Sequence, residues 1–380
     1  MTPVTTDVRV VGDTGPNTIE SYWKTDVGLV TICGWPAILH SRTEMIMRIA
    51  SFRNHSGDTR TAVCLDRQLL DLGAAFERFL VDRQGCDSVT ALRIAEERMP
   101  GSMLALILRG AEGQADLRLL DEYARAIAEE PAAPSFSPSG RRIKYGLDEV
   151  ELLAPVPQLH RCVFNMEYNY DSYRTVHDTV PPDDGKTAMF IMNPETIIGP
   201  GDDILWPNTA TEVTSAVELG VIIGKEGKRI PREQAMDYVF GYTVVNDLTG
   251  MSLVRGIGPG TRCFPKGFYF SRSMTMDTFE AAGPYIVMKD GLHDPQQLGA
   301  ELRVNGAVVS SGNTADMRCS VARLIEFLSE DITLKPGDLV STGAVGSAEF
   351  PPEAPVAVGD VIEAEIEQIG VLRNQVVAQR

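Results

Sequence analysis

The alternation of apolar and polar positions divides the chain into a first part that contains helices and a second part dominated by strands. From Met45, the segment MIMRIASFRNHSGDTRTAVCLDRQLLDL alternates with the period of two typical of strands, around a polar turn. The later segments SVTALRIAEERM and DLRLLDEYARAIAEE repeat apolar residues at steps of three and four, which predicts helices. We therefore expect a small α+β domain over residues 45–128.

A segment rich in proline and serine follows, EEPAAPSFSPSGRRIKYG, and predicts a linker over residues 129–150. Strand-like runs such as AVELGVIIGK, FGYTVVNDL and GPYIVMKD then dominate residues 151–380. Two helical patterns interrupt them, one beginning at Pro231 and one with Ser320 as a candidate N-cap. Because strands and helices hardly alternate, the pattern predicts an α+β fold with a mixed, β-rich second domain.

Residues 1–44 show little periodicity and are interpreted as an N-terminal extension. Within them, YWKTDVGLVTICGWPAIL is compatible with a short hairpin or with a segment packed on a neighbour. Its apolar stretch GLVTICGWPAIL is well short of the ~20 residues that a membrane helix needs, so we expect no membrane association. No secretory signal is apparent.

Charge narrows the classes of partner. The 380-residue chain carries a formal net charge of −17, which repels phosphate backbones and anionic membranes, so we expect no nucleic acid partner. The six cysteines are scattered without a Cys-x-x-Cys pair, which indicates reduced thiols in a cytoplasmic protein.

One acid stands out in a strand that is otherwise apolar. In TSAVELGVIIGK, Glu218 is surrounded by small and apolar residues, and an isolated buried carboxylate is costly. A divalent cation is an obvious partner, yet Mg²⁺ and Ca²⁺ normally take several oxygen ligands. Ala216, two residues earlier and on the same face of a strand, offers none.

Several motifs occur in one order between Pro155 and Asn374, and together they resemble the fumarylacetoacetate hydrolase family. They include NPETIIGPGDDILWP, VELGVIIGKEGKRIPREQAMDYVFGYTVVNDLT and VGDVIEAEIEQIGVLRN. The resemblance implies a β-roll-like catalytic domain, usually a homodimer, whose members cleave, hydrate, isomerise or decarboxylate small oxo acids and β-diketones. It also implies Mg²⁺ or another divalent cation, which acts as a Lewis acid on an enolisable substrate.

The same resemblance assigns the metal ligands and shows that one of them has been lost. Members carry Glu-x-Glu followed by Asp in the next strand, and the matching positions here are Ala216, Glu218 and Asp247. Loss of one carboxylate is expected to weaken cation binding roughly 30- to 1,000-fold. The alternatives are a turn-capping role for Asp247 and a buried ion pair for Glu218.

The loop motif of the family, Asn-Tyr-x-x-His, matches Asn169 and Tyr170 but places Tyr173 where the catalytic histidine is expected. A longer branch of the family has a ligand Asp followed about seven residues later by His, and Asp171 and His177 come close to that spacing. We therefore regard His177 or Tyr173 as the catalytic base and Asp171 as a possible third metal ligand. An ordinary loop histidine is the alternative for His177.

Other positions also depart from the family pattern. Met274 and Asn193 align with family lysines, and loss of an oxyanion donor typically costs ~10²–10³ in rate. The TGTP motif reads TGAV, with the second Thr replaced by Ala344. The resemblance assigns substrate binding to the retained residues Tyr170, Asn169, Thr342 and Gly343.

Three hypotheses follow from this combination of a retained scaffold and altered site residues. The first is a divergent metal-assisted enzyme acting on a small oxo acid or β-dicarbonyl. The second is a metal-independent isomerase, dehydratase, cyclase or decarboxylase on the same fold, with a less polar pocket. The third is a non-catalytic relative that binds a ligand.

Overall fold

A computed structural model describes residues 22–25, 28–31, 46–65, 68–130, 133–157, 162–172, 187–255, 270–347 and 353–379. The chain divides into two compact units, Met1–Met45 and Ile46–Arg380. In the first unit, β1 (Tyr22–Thr25) and β2 (Gly28–Thr31) form an antiparallel hairpin. This agrees with one of the two interpretations of the extension.

The larger unit opens with three strands and four helices, in the order that the periodicity predicts. They are β3 (Arg48–Arg53), β4 (Thr59–Leu65), β5 (Gln68–Asp71), α1 (Leu72–Gln84), α2 (Ser88–Arg98), α3 (Met103–Leu108) and α4 (Gly110–Glu129). Asp71 and Asp87 cap α1 and α2 by accepting backbone N–H hydrogen bonds. Gly85, in the left-handed conformation, ends α1.

The predicted linker belongs to this folded unit. β6 (Lys144–Gly146) pairs antiparallel with β5, and β7 (Glu151–Leu152) pairs with β3. Ile143 is completely buried in the core formed with the helices. The proline and serine content of this segment suggested a spacer. The buried side chain of Ile143 and the backbone pairing of β6 and β7 nevertheless fix the end of the segment to the sheet.

The second part of the unit consists mainly of strands. They are β8 (Val163–Glu167), β9 (Ala188–Met192), β10 (Ile197–Ile198), β11 (Asp203–Trp206), β12 (Val213–Ile223), β13 (Val239–Thr249), β14 (Glu280–Met288), β15 (Gly299–Val304), β16 (Ala307–Asn313), β17 (Leu339–Ala344), β18 (Ala354–Val356), β19 (Val361–Ile366) and β20 (Gly370–Ala378). The helices between them are α5 (Met251–Val254), α6 (Phe270–Met274) and α7 (Val321–Ser329). The pattern after Pro231 forms a 3₁₀ helix, Arg232–Tyr238, and Ser320 caps α7 as predicted.

Two sheets organise these strands, which confirms the α+β class. The larger runs β6-β5-β4-β3-β14-β13-β12-β17-β8-β9, with short additions, and the smaller runs β11-β20-β19-β15-β16. Val217 and Leu219 of β12 pack with Ile362 and Ala364 of β19 in a shared core. Because side chains alternate along a strand, the even-numbered residues of β12 point to the opposite face.

Candidate active site

Glu218 and Asp247 lie on the same face of the larger sheet. β12 and β13 pair antiparallel with Ala216 directly opposite Asp247, and residues directly opposite each other share a face. Glu218, two residues along β12, returns to that face. The two acids that the sequence predicts as ligands are therefore brought together, and Ala216 is a neighbour of both on the same face.

Glu218 is held in one orientation by hydrogen bonds from β17. Its Oε2 accepts from Ser341 Oγ at 2.6 Å and from the backbone N–H of Gly343 at 2.9 Å, and the residue is only 3% exposed. Burial raises the pKa of this carboxyl to about 7, although the two hydrogen bonds act in the opposite direction. Its hydrogen-bond partners are thus a hydroxyl and an amide, not the Arg or Lys of the alternative interpretation.

Asp247 lies inside β13, so the turn-capping interpretation is wrong. The residue is 6% exposed, and its Oδ1 is buried without a hydrogen-bond partner in the described part of the protein. Burial, followed by the charges of Glu218 and Glu280, raises its pKa well above the ordinary value. A buried carboxylate oxygen without a partner is unfavourable unless a proton or a cation accompanies it.

These side chains line a small cavity, here called the carboxylate pocket. Its walls are formed by Met166, Glu167, Tyr168, Thr214, Ala216, Glu218, Asp247, Thr249, Met274, Ala344 and Glu353. The described lining contains four carboxylates and no Lys, Arg or His. Its volume of about 10 Å³ is close to what one water molecule needs.

One wall of the carboxylate pocket is apolar. Ala216 and Ala344, on neighbouring strands, pack together with the partly buried ring of Tyr168. Met274, at the end of α6, is buried and also lines the cavity. The departures from the family pattern at residues 216, 274 and 344 are thus gathered at one place.

Glu167 is a pocket residue that the sequence analysis missed. It ends β8, is 9% exposed, and its pKa is raised well above the ordinary value by burial and then by the charges of Glu218 and Glu353. The available signal was an acid at the end of the apolar run CVFNM, directly before the Tyr-Asn-Tyr motif.

Glu280 is a fully buried acid next to the carboxylate pocket. It pairs across the strands with Asp247, and its Oε2 accepts a hydrogen bond from Asn165 Nδ2 at 3.0 Å. Burial raises its pKa to about 8. Glu280 does not line the cavity, and its charge acts on both Glu218 and Asp247.

The four residues predicted to bind substrate are hydrogen-bonded within the protein. Asn169 donates to the carbonyl oxygens of Cys319 and Thr342 and accepts from the Cys319 N–H, while the hydroxyls of Tyr170 and Thr342 lie 3.2 Å apart. Gly343 donates its N–H to Glu218. These contacts fix the end of β17 behind the pocket, and direct substrate contact stays a prediction.

The remaining predicted residues lie elsewhere. The Asp171 side chain is 69% exposed with Oδ1 at 3.9 Å from Arg318 Nε, and it does not line the carboxylate pocket. Its predicted role as a third ligand is therefore not supported by its position. Asn193 caps a 3₁₀ helix by accepting the Glu195 N–H. Tyr173 and His177 lie outside the described residues.

The oxygen ligands of the carboxylate pocket suit a hard divalent cation, but the described side chains are not arranged in a ready coordination site. Carboxylate oxygens are the ligands that Mg²⁺ and Mn²⁺ prefer, and Asp247 Oδ1 is available. Among the described residues, no group of three His, Cys, Asp or Glu side chains is arranged as a ready metal site. Cation binding would therefore need a movement of side chains.

Comparison with known proteins gives a consistent family match. The family model described as fumarylacetoacetate (FAA) hydrolase C-terminal matches residues 162–377. An oxaloacetate tautomerase of Bacillus subtilis (strain 168) is 34% identical over 287 residues, which are 74% of this chain and 88% of that protein. None of the described helices is long and apolar enough to cross a membrane.

Two solved structures share the fold over 88% of this chain and 100% of their own. A fumarylacetoacetate hydrolase from Exiguobacterium antarcticum superposes with a TM-score of 0.63 at 28% identity. A maleylpyruvate hydrolase from Sphingobium sp. SYK-6, in complex with manganese(II) and pyruvate, gives 0.60 at 25% identity.

Proposed function

Because the chain belongs to the fumarylacetoacetate hydrolase family, we propose that it catalyses proton transfer in a small enolisable oxo acid with the help of a divalent cation. Interconversion of the keto and enol forms of a 2-oxo acid is the reaction that the site suits best. The tautomerase and hydrolase among its relatives are enzymes, which favours an enzyme over a non-catalytic binding protein.

The observation that carries this proposal is the composition of the carboxylate pocket. Two negative charges about 4 Å apart repel each other by roughly 4 kcal/mol at an effective dielectric constant near 20. Once ionised, the four acids of the described pocket wall, which contains no basic side chain, would repel an anionic oxo acid. A divalent cation would compensate for this charge, and the buried, unpaired Asp247 Oδ1 provides one ligand.

In this proposal, Glu218 and Asp247 hold the cation. The cation would polarise the carbonyl and carboxylate oxygens of the substrate and stabilise its enolate. Ser341 and the Gly343 N–H keep the Glu218 carboxylate oriented, which reduces the reorganisation needed on binding. Met274 and Ala344, which line the pocket, would limit the access of water to the bound substrate. His177 or Tyr173 remain the predicted proton carriers.

A metal-independent isomerase, dehydratase, cyclase or decarboxylase is the second candidate, and the raised pKa of Glu218 favours it. A carboxyl group whose pKa is about 7 is partly protonated near neutral pH and suits general acid catalysis. The apolar wall formed by Ala216, Ala344 and Met274 would then accept a less anionic substrate.

The two candidates differ in their response to chelation. We expect the full-length protein to convert enol-oxaloacetate to its keto form, followed by ultraviolet absorbance, and to lose at least about 100-fold in rate after treatment with EDTA. Mn²⁺ should restore the parent but not Glu218→Gln. Glu226→Gln, an exposed acid paired with Lys335, is the control and should respond like the parent. Turnover that survives EDTA would replace the first candidate by the second.

A homodimer and the identity of the cation, Mg²⁺ or another divalent ion, stay predictions from the family resemblance, and a cytoplasmic location stays a prediction from the scattered cysteines. None of them is needed for the proposed chemistry. A metal-dependent rate with either cation would support the same role for Glu218 and Asp247.

A further inference from the structure

We infer that Glu167 supplies the third carboxylate of the cation site and so replaces the acid that the family pattern expects at residue 216. This inference rests on the proposed metal-assisted function. It assigns the third ligand to β8, on the far side of β17 from Glu218, instead of to β12. Four observations carry it.

The first observation is the position of Glu167 relative to Glu218. β8 and β17 run parallel with Asn165 beside Ser341, and beyond that pair Gly343 lies next to the carbonyl oxygen of Met166, the residue before Glu167. On the other side of β17, Glu218 is opposite Ala344. The two acids therefore flank the same end of β17, and both line the carboxylate pocket.

The second observation is that no side chain of residue 343 separates them. Gly343 has φ +102°, which L-amino acids rarely adopt, and a Cβ there would lie 3.0 Å from the carbonyl oxygen of Met166. Bare backbone thus lies between Glu167 and Glu218. Its N–H already holds Glu218, so the arrangement keeps space for a second carboxylate next to the first.

The third observation is that Glu167 is buried without a polar partner. Its side chain lines the carboxylate pocket with the residue 91% buried, and its carboxylate accepts no hydrogen bond from any described residue. In the same cavity, Asp247 Oδ1 is a fully buried oxygen without a described hydrogen-bond partner. A buried oxygen without a partner beside a second acid that accepts no described hydrogen bond indicates a place for a cation or a proton.

The fourth observation is that the other acids suit the role less well. Asp171 is exposed beside Arg318 and outside the pocket wall. Glu353 lines the cavity but is engaged by Thr214, whose Oγ1 donates to Glu353 Oε2 at 3.0 Å. Glu167 has no such contact to break, so its side chain is the one that can turn toward Glu218 and Asp247 at the smallest cost.

The experiment measures the binding of Mn²⁺ alone to the EDTA-treated, full-length protein by calorimetry, with the free Mn²⁺ signal in electron paramagnetic resonance as a second readout. Glu167→Gln is compared with Glu218→Gln and with Asp171→Asn, the rival third ligand. We expect Glu167→Gln to weaken Mn²⁺ binding roughly 30- to 1,000-fold and Asp171→Asn to change it less than about threefold. Circular dichroism confirms that each variant is folded before titration.

A stability measurement separates a ligand from a structural acid. Without metal, Glu167→Gln should unfold at an equal or higher urea concentration than the parent, because a buried, unpaired acid has been removed. With saturating Mn²⁺, the parent should gain more than the variant. A lower urea midpoint in EDTA together with undiminished Mn²⁺ binding would overturn the inference.

The failures of the two proposals are distinguishable. If Glu167→Gln weakens Mn²⁺ binding less than about tenfold while Glu218→Gln abolishes it, Glu167 is not a ligand and the metal-assisted function stands. Loss of binding in Asp171→Asn instead would also overturn the inference. If the parent binds no Mn²⁺ and turns over its substrate in EDTA, both proposals are wrong.

Discussion

Buried carboxylates occur in two regions of the larger unit, and their surroundings are opposite. In the region built by the helices, Glu77 of α1 accepts hydrogen bonds from the N–H and hydroxyl of Ser139 and from Arg141 Nη2 at 2.8 Å. Asp116 of α4 contacts Arg98 and, at 2.6 Å, Arg109. In the carboxylate pocket, Glu167, Glu218 and Asp247 have no basic side chain in the described wall.

The pKa directions follow these surroundings. Burial on its own raises the pKa of Glu77, but the hydrogen bonds from Ser139 and Arg141 outweigh it and hold the pKa below the ordinary value. In the carboxylate pocket, burial and neighbouring negative charges raise the pKa values of Glu167 and Asp247. The charges of the buried acids with arginine partners are compensated within the fold, whereas the acids of the carboxylate pocket, which have no described basic partner, are available to bind a cation or a proton.

Among these predictions, removal of Arg141 should have the largest effect on stability, because it leaves Glu77 as poorly compensated as the acids of the carboxylate pocket. Arg141→Met leaves the completely buried Glu77 without its positive partner, and we expect the free energy of unfolding to fall by about 3–5 kcal/mol. Urea unfolding measures this. Arg53→Met, which removes the exposed pair with Glu151, should cost no more than about 1 kcal/mol. Similar losses in the two variants would contradict the structural role given to Arg141.

A smaller effect should appear in the pH dependence of stability. The pKa of Glu280 is raised by burial, whereas the pKa of Glu77 is lowered by its hydrogen bonds. The pKa of Glu280 is about 8 in the folded protein against an ordinary 4.5, so the unfolded chain releases this proton first as pH rises. Stability should therefore fall between about pH 5 and pH 8, by an amount on the order of a few kcal/mol.

The variant Glu280→Gln tests whether Glu280 causes this loss of stability with rising pH. The variant keeps an acceptor for Asn165 Nδ2, should lose less stability over this range, and should exceed the parent above about pH 8. Urea midpoints in EDTA at about pH 5 and about pH 9 check both points. An unchanged pH profile would show that other groups control it.

The smallest expected effect comes from giving the carboxylate pocket a positive charge. Met274→Lys would place an ammonium beside Glu218 and Asp247, lower their pKa values, and raise the metal-free stability near pH 8 by on the order of 1 kcal/mol. The same variant should bind Mn²⁺ more weakly than the parent. Met274→Leu is the uncharged control. Equal stability of the two variants near pH 8 would contradict the expected stabilisation by the ammonium.

Much of the fold could be predicted because its signals are local. The periodicity of SVTALRIAEERM predicted a helix, which the structure has at Ser88–Arg98. The apolar run around Glu218 predicted a strand, which is β12. The linker could not be predicted in this way, because the pairing of β6 with β5 and the burial of Ile143 depend on residues about seventy positions away.

The site was only partly predictable from the sequence. Glu218 and Asp247 share a pocket as the family motifs imply, because adjacent antiparallel strands bring them onto one face. Glu167 was missed because its closeness to Glu218 depends on the parallel pairing of β8 with β17, and these strands are far apart in the chain. Sequence spacing gave Asp171 the role of an additional ligand, while burial favours Glu167.

The pairing of β14 with β3 has a consequence for dissecting the protein. Ile286 and Val287 of β14 are hydrogen-bonded neighbours of Ile49 and Arg48, and β14 is also the strand beside Asp247. A fragment that began at the predicted domain boundary near residue 151 would expose a strand edge with apolar residues, and such edges recruit other chains. The first hundred residues of the larger unit thus also cover the edge of the strand that lies beside Asp247.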